Sequence, residues 1–336
     1  DGVDGIRWDA AKHIGLPSEG CNFWNTVIDK SMYNYGEILV GAIDQHNVDQ
    51  RTQDNINKMK EYTSYMSVTD SSYGSDILNA VKSGRVPSGY GSWVVSGLDE
   101  HKLVYWAESH DTYANDGGES KYVNQNKIDR AYAIAASRNG ASALYFSRPS
   151  QTEKTKIMVG EKGSTHFKSA EVAAVNHFHN ACIGEKDYYT TSSNQSVAAI
   201  TRNSGACIVL GNGGNRDVTI ANGGSLTTPG TYYDEITGNK FVVTKDKITG
   251  KVGSTGIAVF YQSKSNKKVS VSADKKSGTT FTDKLKVKFT ANNATKSTLT
   301  INGKTESFTG SVTKTFDATT TVKVYAENSK GSAAKT

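Results

Sequence analysis

The sequence is poor in proline, cysteine and long apolar runs, and each shortage narrows the field. Four prolines, set against 36% hydrophobic and 21% charged residues, belong to a chain that can build cores and exclude wholesale disorder. Three cysteines, Cys21, Cys182 and Cys207, are too few for a disulfide framework; one pair stays open, though their spacing argues for none. No apolar run reaches the length of a transmembrane helix. The chain opens DGVDGIRWDAAKH, in mid-pattern and without a Met, so no signal peptide is expected in these residues.

Arginine, tryptophan, histidine and proline are unevenly placed. Residues 263–336 hold 14 Lys, no Arg and 5 acids, a net of +9, whereas residues 1–262 are net −3. All four Trp, seven His and four Pro precede residue 230. The overall +6 therefore belongs to the tail, and 336 residues allow two or three domains. The tail lysines are scattered on outward positions. They read as a solvated face, so no nucleic-acid partner is expected.

What is there begins with a β–α alternation. Strands are expected at 5–9, 33–40, 103–107 and 143–146, and helices at 23–30, 53–62, 75–82, 128–138 and 170–183. That order predicts a parallel sheet with helices outside it, open or closed into a barrel, over residues 1–183. From 184 to 262 short strands and Gly/Asn turns predict an antiparallel β domain. Residues 263–268 read as a linker. Beyond it, 269–336 alternate strictly, as in LKVKF, and predict an immunoglobulin- or fibronectin-like β-sandwich.

Three polar segments at expected strand ends could carry chemistry. Arg7 and Asp9, two apart on a strand, share a face; a buried arginine would keep the carboxylate ionised, although a structural ion pair reads equally. Glu37 interrupts an apolar strand in YGEIL. Buried, it would stay neutral and could act as a general acid; alternatively it is a strand-end acid facing solvent. Glu108-Ser109-His110-Asp111 follows the apolar LVYWA, the place where barrel enzymes build active sites. His110 with Asp111 could also suggest a metal, but no further histidine lies at ligand spacing. Carboxylates at successive strand ends suggest a glycosidase, which needs an ionised nucleophile and a protonated acid around one bond. Trp24, Trp93 and Trp106 could stack on sugar, Trp106 reading rather as core. Phe281, Phe289, Phe308, Phe316 and Tyr325 read as sandwich core.

These segments resemble the bacterial secreted α-amylases. GIRWDAAKHI, YGEIL and ESHDTYAND are similar to the family's second, third and fourth signatures, at the ends of barrel strands four, five and seven, and ALYFSRP is similar to strand eight with its exit loop. The resemblance covers residues 1–262. It implies the second half of a (β/α)8 TIM barrel followed by antiparallel domain C, with the sandwich as an accessory module. It implies retaining endo-hydrolysis of α-1,4-glucosidic bonds in starch, maltodextrins and related glucans. Asp9 would be the nucleophile, Glu37 the general acid/base and Asp111 the third, transition-state-stabilising carboxylate. Arg7, Lys12, His13, His110 and Asn115 would bind substrate, and the main-chain carbonyl of His13 would ligate a structural calcium. A secreted or surface-attached monomer is expected. The family's first signature and barrel strands one to three have no counterpart, so the chain is expected to be a truncated enzyme, inactive alone, with Ile6, Trp8, Leu103 and Val104 exposed. A non-catalytic glucan-binding protein on the same fold is the alternative.

Overall fold

The computed structural model describes residues 2–39, 53–89, 98–114, 120–140, 142–149, 160–262, 269–328 and 331–336. Asn115, Trp93 and the expected linker 263–268 lie outside the described residues. The chain divides into two compact units, Asp1–Tyr261 and Gln262–Thr336.

In the first unit, β1 (Gly5–Trp8), β2 (Tyr33–Leu39), β3 (Ser67–Thr69), β4 (Leu103–Trp106) and β5 (Ser142–Leu144) form one sheet in that order. Every pairing is parallel. Helices α1 (Phe23–Val27), α2 (Gln53–Tyr62), α3 (Ser71–Lys82), α4 (His110–Ala114), α5 (Gln125–Ala136) and α6 (Ala170–Ala181) lie between and after the strands. The sheet curls. Tyr33 on β2 and Ser142 on β5 are separated by two intervening strands, which would set them about 14 Å apart in a flat sheet, yet their hydroxyls approach to 3.5 Å. This is the curvature of part of a β/α barrel.

Local chemistry sets the helix starts. Asp70 caps α3 by accepting from Tyr73 N at 3.1 Å, and Ser169 caps α6; both hold amide donors that a helix cannot satisfy internally. Helix α3 comes so close to the sheet that a Cβ on Gly74 would lie 1.8 Å from the carbonyl oxygen of Trp106. Leu103 and Val104 are buried, 3% and 1% exposed, contrary to the expectation for an incomplete barrel. They lie on β4, which is paired on both sides and covered by α3. Ile6 and Trp8, on the sheet edge, are half-exposed. Leu144, in the expected apolar strand 143–146, is 44% exposed because β5 is the other edge.

The remainder of this unit is antiparallel. Strands β6 (Asp187–Thr191), β7 (Val197–Arg202) and β8 (Gly205–Leu210) form one sheet with β13 (Ile257–Tyr261), in the order β13-β8-β7-β6. A second sheet holds β9 (Arg216–Ala221), β10 (Gly230–Tyr233), β11 (Lys240–Val243) and β12 (Lys247–Val252). Between them lies a core that includes Ile208, Phe241 and Phe260. Two buried arginines join these strands to the helices. Arg130 of α5 donates to the carbonyls of Leu210, Gly213 and Thr255. Arg202 of β7 donates to those of Ser137, Cys182 and Glu185.

The second unit is two antiparallel sheets. One holds β14 (Ser270–Ala273), β15 (Leu285–Asn292) and β18 (Ser311–Phe316). The other holds β16 (Lys296–Ile301), β17 (Lys304–Ser307), β19 (Val322–Asn328) and β20 (Gly331–Lys335). Alternation sorts the side chains: Val287 and Phe289 of β15 are buried while Lys286 and Lys288 face water. Those two meet Leu299 and Val324 of the facing sheet, with Phe308 and Phe316 packed beside them. Phe281 and Tyr325 are half-buried.

Candidate functional site

The register of β1 against β2 assembles the first part of the site. Trp8 pairs with Gly36, so the next residues, Asp9 just past the end of β1 and Glu37 within β2, come side by side. Trp8 Nε1 donates to Asn34 Oδ1 at 2.9 Å and ties the two strands together. The chain then turns through Ala10, whose φ of 49° and ψ of 30° are left-handed. For a residue with a Cβ this conformation costs about 1–2 kcal/mol. It aims the Ala10 amide at Glu37 Oε2, 2.9 Å away.

Arg7 bridges the two acids. Its Nη1 donates to Asp9 Oδ1, and its Nη2 lies 3.3 Å from Glu37 Oε2. The group is open to solvent: the side chains of Arg7, Asp9 and Glu37 are 39%, 75% and 18% exposed. The buried arginine expected from the sequence is thus a surface one, because β1 is an edge strand. The Arg7 hydrogen bond, then its positive charge, hold the Asp9 carboxyl below its ordinary range; Glu37 and His110 act in the same direction, and desolvation opposes them.

His110 and Asp111 open α4, just beyond β4. His110 Nε2 lies 3.6 Å from Asp111 Oδ1. The fourth polar residue of that segment behaves differently. Glu108 is buried, and Arg148 grips its carboxylate from the exit of β5, Nε to Oε2 at 2.8 Å and Nη2 to Oε1 at 2.9 Å. Sequence reasoning gave no role to this pair, which is 40 residues apart. The signal available was an arginine at the end of an apolar strand.

Lys12 and His13 lie on a single helical turn, Ala11–His13, directly after Asp9; Lys12 is half-buried and His13 exposed. Trp24 is 1% exposed and packs edge-on against Trp8 and Tyr62, so it cannot be a sugar platform. Trp106 is half-buried. The His13 carbonyl falls short of a calcium site by itself, since that cation takes six to eight oxygens. Among the described residues, Asp129, His166 and Glu171 are the one group of acids and histidines at metal-ligand spacing, and it does not include His13. No chemistry below depends on calcium at His13.

No family model matches the chain. An α-amylase of Clostridium acetobutylicum is 31% identical over 280 residues, covering 79% of this chain and 33% of its own length. An α-amylase of Butyrivibrio fibrisolvens is 28% identical over 308 residues, covering 77% and 30%. Among solved structures, a variant of α-amylase I from Eisenia fetida in complex with maltohexaose matches with a TM-score of 0.53 at 16% identity, over 78% of this chain and 62% of that one; this likeness is one of fold. The chain spans about a third of the length of the curated relatives it matches. A curled parallel sheet, an arginine shared by acids of two adjacent strands, and this degree of identity agree on one conclusion: the chain belongs to the α-amylase family.

Proposed function

We propose that this chain carries the reacting carboxylates of a retaining α-1,4-glucan hydrolase. The observation that carries the reading is the Arg7–Asp9–Glu37 cluster. A glycosidic nucleophile must be ionised, and Arg7 holds Asp9 in that form. A retaining mechanism needs its second carboxyl about 5–5.5 Å away, against about 6.5–9.5 Å for inversion. Glu37, bound to the same guanidinium as Asp9, is the carboxyl we assign to that second role.

In the proposed reaction Asp9 attacks the anomeric carbon while Glu37 protonates the leaving glycosidic oxygen. The carboxylate of Glu37 then takes a proton from water, which releases the sugar from Asp9. We assign Asp111 and His110 to the sugar hydroxyls, and Lys12 and His13 to the neighbouring subsites. The substrates are starch and maltodextrins. Polymers of that size do not cross membranes, so the reaction belongs outside the cell. The barrel half, domain C and accessory sandwich are the arrangement we assign to the described sheets. Structural calcium, if the enzyme uses it, must draw nearly all its ligands from elsewhere.

The test places this chain in the α-amylase of Clostridium acetobutylicum in exchange for the matching segment. The chimera should release reducing sugar from soluble starch, and Glu37→Gln should abolish it. Starch binding without turnover would replace this reading with that of a glucan-binding protein. Full activity in Glu37→Gln would remove Glu37 from its role.

A further inference from the structure

We infer that Glu108 and Arg148 are positioning residues that hold the first turn of α4, and with it His110 and Asp111, at the mouth of the site. The inference rests on the reading of those two residues as substrate-facing.

The geometry is a single guanidinium with four attachments. Arg148 meets both carboxylate oxygens of Glu108 at 2.8 and 2.9 Å. Its Nη2 also donates to the carbonyls of Ser120 at 3.0 Å and Val123 at 2.9 Å. Its carbon lies 5.5 Å from the ring centroid of Tyr113, within cation–π range. The Ser120 hydroxyl completes the Glu108 carboxylate at 2.6 Å. Arg148 thus holds the residue before the turn, a residue on its last helical positions, and the returning chain beyond it.

Between those fixed points the turn has little freedom. Ser109 follows Glu108 directly; its Oγ accepts from Thr112 N at 3.2 Å, and its carbonyl accepts from Tyr113 N at 3.0 Å. His110 and Asp111 are the two residues spanned by these bonds. Their own side chains are open, 62% and 46% exposed, and gain little rigidity from packing. A five-residue helix is also too short to be stable by itself. The Glu108 side chain is 1% exposed, and a buried bidentate pair is often no more stabilising than apolar residues of the same volume. What the pair supplies is a fixed distance between the end of β4 and the exit of β5. Sites held by such supports lose rate sharply when they shift.

The first measurement needs no turnover and uses the 336-residue chain. Arg148→Lys keeps the charge and loses the fork. Glu108→Gln combined with Arg148→Met removes both charges at similar volume, leaving neither partner buried alone. In both variants amide exchange at Thr112 and Tyr113 should accelerate at least roughly tenfold relative to α5, and the imidazole NMR signal of His110, assigned with His110→Gln, should broaden or split. An unchanged His110 signal and unchanged α4 exchange in the double variant, at any Tm, would overturn the inference and leave a purely structural pair. The second measurement uses the active chimera: kcat should fall about 100-fold with KM within about twofold in the double variant, and restoring both residues should rescue it. An equal kcat would also overturn the inference. A wild-type chimera without turnover would refute the hydrolase reading alone, and the exchange result would still judge the pair.

Discussion

At the scale of single residues, Asp9 is controlled by one neighbour. Because Arg7 lowers its folded pKa, the carboxylate persists below the ordinary value of about 3.9. Its contribution to stability is present above that unfolded value and is lost as pH falls through the lowered folded one. Arg7→Ala should therefore move the acid limb of the chimera's pH–kcat/KM profile to higher pH; an unmoved limb would show that another group controls it. High salt should reproduce part of the effect, since the pair is exposed and screened. The thiols give a second prediction. Burial pushes Cys182 and Cys207 up to about 12, and neither is exposed, whereas Cys21 is half-exposed. A thiol-disulfide reagent at pH 8 should titrate one cysteine in the native chain and three after unfolding. Three fast-reacting thiols in the native chain would contradict the packing.

Elements were legible in the sequence where periodicity had room to appear. Helix α2 is observed over Gln53–Tyr62, the expected span, and α6 begins at the expected Ala170. Strand β3, Ser67–Thr69, was not read, because three residues carry no period. The relation of Arg7 to Asp9 could be read because it is local. The relation of Asp9 to Glu37 required the register of β1 against β2, and that of Glu108 to Arg148 required the pairing of β4 with β5. The left-handed Ala10 was invisible, since nothing in the residue type asks for it. Gly74 was equally silent, yet its missing Cβ is what lets α3 approach β4 so closely. Gly74→Ala should destabilise the first unit by about 1–3 kcal/mol, read as a lower denaturation midpoint at unchanged slope. A neutral result would mean that the helix can withdraw.

The whole molecule should unfold in two steps, since it divides into two compact units with separate cores. Phe178, fully buried in the first unit, provides the test: Phe178→Ala should cost about 3–5 kcal/mol and lower one calorimetric transition while leaving the other in place. A single transition that moves as a whole would refute independence. A different property follows from Arg130 and Arg202. Each directs its guanidinium at three backbone carbonyls, and among the described residues neither forms an ion pair. A carbonyl has no proton to gain in acid and no counter-charge for salt to mask. At these two points the seam between helices and antiparallel strands is fastened by cations that neither ionic strength nor moderate acidity unpairs, so brine should weaken the open carboxylate cluster long before it parts them.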